Sequence, residues 1–159
     1  MNFNDLKKSF LKNHYPIQQD IVLVFDTKEY SEKQLESLCF EARKHVVSGF
    51  LFQTSGTTSD KKFVLHDFES IKTSNQTINN WITVSKEDKF IAPISIHHMG
   101  GFSLLSRAFV AGIEEPIIQN TWSLEKFIKT VEAENITVTS MVPSQIYEIV
   151  QSNKKSPKS

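Results

Sequence analysis

The run Gln53-Thr54-Ser55-Gly56-Thr57-Thr58-Ser59-Asp60-Lys61-Lys62 concentrates hydrogen-bond donors: four hydroxyls ahead of Ser59, one glycine and two lysines. Hydroxyls and free backbone N–H groups are what a triphosphate's oxygens require, and a lysine adds a mobile positive charge. Gly56 lets the backbone approach a ligand closely or take φ > 0. The same composition also fits a polar hairpin loop, because Ser, Thr, Gly and Asp fill turns generally. The run is not a Walker loop, since G-x-x-x-x-G-K-[ST] is absent. A second group with chemical potential is His97-His98-Met99-Gly100-Gly101, with Arg107 downstream. Adjacent histidines rarely face the same way, and neither H-E-x-x-H nor a cysteine cluster occurs, so no metal site is expected. The plain alternative is a loop with one packed and one solvated imidazole. Arg107 sits among Leu104, Leu105, Ala108, Phe109 and Val110. A cation there either snorkels to the surface or is buried and needs an anionic partner.

These groups must be presented by regular elements. The hydroxyl-rich run follows Gly49-Phe50-Leu51-Phe52, which reads as a buried strand, and ends where Phe63-Val64-Leu65 begins. Upstream, residues 4–12 predict a short amphipathic helix and residues 21–25 a buried strand. Ser31 and Gln34 form a capping-box pattern ahead of a helix with Leu35, Leu38, Cys39 and Ala42 on one face. Asp67 is placed to cap a helix carrying Phe68, Ile71, Ile78 and Ile82, a face interrupted by Asn75. Residues 90–94 predict a strand with Pro93 near its end. Residues 100–111 predict a helix stopped by Gly112. Ile117-Ile118 reads as a short strand, and Ser123 caps a helix with Leu124, Phe127, Ile128 and Val131 inward. Residues 136–142 form a β-branched run expected as a strand. Pro143 opens a last helix carrying Ile146, Tyr147 and Val150. Strands alternating with helices predict an α/β fold, a parallel or mixed β-sheet flanked by helices. Ligand loops in such sheets lie at the strands' carboxyl ends, so all the motif-bearing loops can converge on one edge.

The chain has 159 residues, enough for one core, and is expected to form a single domain over 1–151 with a disordered tail over 152–159. Lysine and arginine total 18 against 18 acidic residues, which gives no reason to expect a nucleic-acid surface. The absence of a long apolar run or signal core argues against a membrane partner or secretion and for a cytoplasmic protein. The single cysteine, Cys39, is expected to be buried and inert.

The order of residues within the motifs resembles the adenylate-forming enzymes, the superfamily of acyl-CoA synthetases, luciferases and peptide-synthetase adenylation domains. TSGTTSDKK is similar to their TSGTTG-x-PK phosphate loop: Thr54, Ser55, Gly56, Thr57, Thr58 and Lys62 match, while Ser59 replaces a glycine and Lys61 a proline. SIHHMGGFSLLSRAFVAG resembles the P-x-x-H-x-x-G…R…G form of the o-succinylbenzoate–CoA ligases. His98 and Gly101 stand at that motif's histidine and glycine, and Ser95 stands where it has proline. Ser140-Met141-Val142-Pro143-Ser144-Gln145-Ile146 is similar to those ligases' S-x-VPTQL segment. The resemblance spans residues 50–150.

It implies part of an acyl-CoA synthetase-like N-terminal domain, working with ATP, Mg²⁺ and CoA on a carboxylic acid. The nearest acid by motif is o-succinylbenzoate, in menaquinone biosynthesis. Thr54, Ser55, Gly56, Thr57, Thr58 and Lys62 would then meet the phosphates. His98 would serve catalysis beside the acid pocket, and Gly100, Gly101 and Arg107 would bind the acid. The family's later Y-G-x-T-E, ribose-binding aspartate and catalytic lysine motifs have no counterpart in these residues. The chain is therefore expected to be a front portion, either truncated or one part of a split enzyme whose second chain carries the missing motifs, and weakly active or inactive alone. The alternatives are an acyl-CoA synthetase for another fatty or aryl acid, and a non-catalytic remnant or partner subunit that binds nucleotide weakly.

Overall fold

The structure is a computed structural model and describes residues 15–54, 61–113, 115–119 and 121–152. The expected helix over 4–12, the loop residues Ser55, Gly56, Thr57 and Thr58, and the tail beyond Ser152 lie outside that set.

Two small sheets share one core. The first has the order β1 (Ile17–Gln18), β2 (Ile21–Val24), β3 (Gly49–Gln53), β4 (Phe63–Asp67). β1 and β2 form a tight hairpin through Gln19 and Asp20, both at positive φ (48° and 66°), as a two-residue turn between twisted strands requires. β2 and β3 are parallel and are joined across α1 (Glu32–Arg43). The capping box at the start of α1 forms as expected: the Gln34 amide nitrogen of the backbone donates to Ser31 Oγ, and the Ser31 backbone N–H donates to Gln34 Oε1 at 2.8 Å. β4 returns antiparallel to β3, so the hydroxyl-rich run bridges a hairpin.

The alternation of side chains along β2 and β3 supplies both faces of this sheet. Ile21, Leu23 and Leu51 pack with Leu35, Cys39 and Ala42 of α1. Val22, Val24, Phe50 and Phe52 turn the other way, into the larger core. Cys39 is fully buried there. Asp67 ends β4 and caps α2 (Phe68–Trp81) by accepting from the Ser70 N–H at 2.9 Å.

The second sheet is all parallel, in the order β6-β5-β7: β5 (Phe90–Ala92), β6 (Ile117–Ile118) and β7 (Val138–Thr139). β5 stops at Ala92, immediately before Pro93, which has no N–H to add to a ladder. Helix α3 (Met99–Val110) follows and ends before Gly112, whose φ of +81° terminates it. Helix α4 (Leu124–Glu134) is capped by Ser123 and buries Phe127 and Ile128 against Ile91. Helix α5 (Pro143–Gln151) closes the described chain.

Phe102 of α3 joins the layers. Its ring meets Phe50 at 4.8 Å, Phe52 at 5.2 Å and Tyr15 at 5.7 Å between centroids. Phe90 and Ala92 of β5 complete the same cluster.

Three expectations are corrected. The β-branched run over 136–142 forms only a two-residue strand, because its partner β5 offers just three residues before Pro93. The last helix forms, but Ile146, Tyr147 and Val150 are exposed, and Gln145 is its buried side chain. Asn75 does not merely interrupt the inner face of α2: it and Asn79 are buried on it, while Ile82 is exposed.

Phe102→Ala is expected to lower unfolding free energy by about 3–5 kcal/mol, read from the urea midpoint. Tyr147→Ala, on the wet face of α5, is expected to change it by no more than about 0.5 kcal/mol.

Candidate functional site

A cleft of about 830 Å³ opens at the carboxyl ends of β2, β3 and β5. Its first wall is Phe25, Asp26 and Glu29, from the end of β2 and the 3-10 turn Thr27–Glu29. Its second is Gln53, Thr54 and Lys61, at the two roots of the hydroxyl-rich loop. Ser95, His97 and His98, from the loop between β5 and α3, form the third. The described roots of the phosphate-type run and the histidine loop therefore lie on one edge. The Val142-Pro143-Ser144 turn is not part of this lining; it is tied to the neighbouring segment instead, where Gln145 Nε2 donates to the Pro93 carbonyl at 3.1 Å.

The loop roots are held shut by one rung: the Thr54 N–H donates to the Lys62 carbonyl at 2.8 Å and its hydroxyl donates to the same oxygen at 3.3 Å. Lys61 turns into the cleft, where its ammonium pairs with the Glu29 carboxylate and lies 5.3 Å from the centre of the Tyr30 ring. The hydrogen bond from Glu29 holds the Lys61 ammonium above the ordinary lysine range. Tyr30 is itself fixed by its hydroxyl on Gln53 Oε1 at 3.2 Å and by Phe25 and Phe63, with centroids 5.5 and 6.0 Å away. Lys62 is exposed and does not line the cleft.

The two histidines diverge. His97 packs edge-on against Tyr15, centroids 6.3 Å apart, and its Nδ1 is buried without a hydrogen-bond partner. Tyr15 anchors this loop by donating to the Ile96 carbonyl at 2.9 Å, and burial pushes its phenol well above the ordinary range, so it stays a donor. His98 is exposed at the N-cap of α3 and makes no side-chain cap bond. The loop turns on the His98 N–H, which donates to the Ser95 carbonyl at 3.1 Å.

Gly101 is buried because α3 begins directly against the Ser95 backbone: an added Cβ would stand 2.3 Å from that carbonyl oxygen. At Gly100 an added Cβ would meet only Ile94 Cδ1, at 3.6 Å. Arg107 lies two turns along α3, away from the cleft lining and on the side facing α2. It is 7% exposed, its Nε donates to Asn79 Oδ1 at 3.1 Å, its guanidinium carbon is 5.9 Å from the centre of the Phe90 ring, and Nη2 is buried without a partner. Burial lowers its pKa, but a guanidinium remains charged.

Sequence reasoning missed Glu29, Tyr30 and Asn79. The first two follow a buried strand by a few residues, the position where ligand loops of parallel sheets lie, and that signal was available. Asn79 carried none, since an asparagine on a helix reads as solvated.

On the cleft lining, the Lys61 ammonium beside Thr54 and His97 suits an anion. Among the described residues no group of three or more His, Cys, Asp or Glu is arranged to hold a metal ion. No helix among the described residues is long and apolar enough to cross a membrane.

The AMP-binding enzyme family model matches residues 18–159. The 2-succinylbenzoate–CoA ligases of Staphylococcus aureus strains JH9 and Newman are each 26% identical over 104 residues, covering 65% of this chain and 21% of the relative. The chain thus spans about a fifth of the length of these curated relatives. The fold is similar to o-succinylbenzoate coenzyme A synthetase from Bacillus subtilis in complex with ATP and magnesium ion, with a TM-score of 0.63 at 19% identity over 69% of this chain and 23% of that one. The same enzyme in complex with the acyl-adenylate intermediate gives a TM-score of 0.63 at 16% identity, over 87% of this chain and 40% of that one.

The start of α3 sets a test of its own. Gly101→Ala is expected to destabilise by about 1–3 kcal/mol through overpacking, whereas Gly100→Ala should leave thermal stability unchanged or raised, because alanine is the better helix former. Melting curves followed by circular dichroism distinguish the two.

Proposed function

Because the chain belongs to the AMP-binding enzyme family, we propose that it is a portion of an ATP-dependent acid–CoA ligase, with o-succinylbenzoate as its acid and menaquinone biosynthesis as its setting in the cytoplasm. The observation that carries this reading is the single cleft in which the roots of the hydroxyl-rich loop meet the histidine loop. The likeness to 2-succinylbenzoate–CoA ligases supports the choice of acid.

The reaction has two transfers. A carboxylate oxygen of the acid attacks the α-phosphorus of ATP, and pyrophosphate leaves with the electron pair of the broken P–O bond. The sulfur of CoA then attacks the acyl carbon, and AMP leaves as the thioester forms. Thr54, Ser55, Gly56, Thr57, Thr58 and Lys62 hold the phosphates in this reading, and donors fixed before the reaction stabilise the charge that pyrophosphate develops. Phosphate charge would be neutralised in part by magnesium bound with ATP. His98, at the mouth of the cleft and free of any cap bond, orders the acid and gates the thioester step. Gly100 leaves room beside it, while Gly101 lets α3 start against the Ser95 backbone.

In this reading the cation for the carboxylate that does not react is Arg107, although its guanidinium faces α2 and lies outside the cleft lining. o-Succinylbenzoate has two carboxylates, and one must stay clear of ATP. The unpartnered Nη2 of Arg107, buried beside Asn79, supports a need for an anionic partner. Since the chain spans 21% of its relatives' length, the assembly that completes both transfers includes further residues, in a longer chain or a second one.

Two measurements test this. The chain alone should show negligible ATP–pyrophosphate exchange with o-succinylbenzoate; a robust rate would refute the portion reading. In the complete assembly, Arg107→Ala should weaken apparent binding of the diacid by on the order of 2–5 kcal/mol and should affect a mono-acid lacking the second carboxylate much less. Equal losses would make Arg107 structural and remove the support for this acid.

A further inference from the structure

We propose that Lys61, which stands where the family's loop has proline, is a cation of the phosphate seat, and that Glu29 holds it there in reserve as an internal stand-in for the phosphate. The proposal rests on the phosphate-binding reading above.

The geometry separates the two lysines. Consecutive residues at a strand's entry point to opposite sides. Phe63 packs inward with Phe25 and Tyr30, Lys62 is exposed outside the cleft lining, and Lys61 enters the cleft with Thr54, His97 and His98. Lys61 is also guided. Its ammonium lies over the Tyr30 ring, and Tyr30 is braced by Gln53, Phe25 and Phe63. Cation–π attraction and the neighbouring carboxylate fix its direction without fixing it permanently.

Glu29 supplies the anion that an incoming phosphate would replace. Both partners are largely solvent-exposed, at 47% and 69% for the side chains of Lys61 and Glu29. An exposed ion pair adds little net stability, so exchanging one oxyanion for another costs little. A phosphate oxygen offers more charge than a carboxylate, and Thr54 and His97 line the same space. An entering anion must take the place of Glu29 on Lys61, with Asp26 and Glu29 both on the cleft lining.

The experiment uses the full chain with inorganic pyrophosphate, measured by titration calorimetry, and amine-reactive ester labelling read site by site by mass spectrometry. Circular dichroism first verifies that the surface variants fold. Glu29→Gln removes the competing charge and should tighten pyrophosphate binding about two- to fivefold, the scale of an exposed pair. Lys61→Ala should weaken it about three- to tenfold, no less than Lys62→Ala does. Labelling of Lys61 should be slow in the wild type, faster in Glu29→Gln, and suppressed again by pyrophosphate. If pyrophosphate binds but Lys61→Ala leaves affinity unchanged, or if Lys61 gains no protection, the proposal is overturned while the phosphate reading stands. If neither the wild type nor Glu29→Gln binds pyrophosphate or ATP at millimolar concentration, the phosphate reading falls and takes this one with it.

Discussion

The ring of Phe102 is the constraint on which the rest of the structure depends. It is 1% exposed and touches Phe50 and Phe52 of β3 as well as Tyr15 before β1. Two small sheets, neither with more than four strands among the described residues, would be marginal apart. Seating α3 on β3 through this ring, with Phe90 and Ala92 of β5 in the same cluster, joins them into one core. It also sets function. With the sheets so joined, the ends of β3 and β5 open on the same cleft, and the roots of the hydroxyl-rich loop become neighbours of the histidine loop although far apart in sequence.

Dispersion forces and apolar burial bring α2 and α3 together, but they do not choose a register between two helices; a polar pair does. Asn75 Nδ2 donates to Ser106 Oγ at 2.8 Å, and Asn79 Nδ2 donates to the Arg107 carbonyl at 2.8 Å while receiving the Arg107 Nε. A slip of either helix would leave these buried groups unpaired, at about 1–3 kcal/mol for each neutral group. Arg107 makes the arrangement unusual, because a nearly buried cation with an amide and an aromatic ring as partners has no counter-charge among the described residues. Reciprocity with Asn79 holds its backbone and side chain at once, leaving Nη2 as the part of the group still unmatched.

Much of the fold was legible because short-range chemistry decides it. The Ser31–Gln34 box, the Asp67 and Ser123 caps and the Gly112 stop depend on residues within one helical turn, and all appear where the pattern put them. The buried strand read from the apolar run 21–25 likewise needed only local sequence, and it forms over Ile21–Val24. What was not legible depends on partners distant in sequence. The run over 136–142 has strong strand propensity, yet a strand can be no longer than the ladder its neighbour offers, and β5 ends at Pro93. Asn75 and Asn79 look like surface residues until Ser106 and Arg107 lie opposite them. At the site, motif order pointed to segments that border one cleft, but the tether of Lys61 by Glu29 and Tyr30 joins residues about thirty positions apart and leaves no local trace.

The wet apolar face of α5 has a kinetic consequence. Ile146, Tyr147 and Val150 are 48%, 66% and 65% exposed, so they change little in hydration when the helix comes away. The helix is held by the Gln145 bond to Pro93, the Trp122 indole on Glu148 at 2.6 Å and the partly buried Ile149. Its opening therefore needs only the loss of these few ties rather than the loss of the Phe102 core, making it a subglobal unit. Amide hydrogens of α5 will exchange with solvent deuterium through this local opening, with protection insensitive to changes in global stability, while those of β2 and β3 will wait for the whole molecule to unfold.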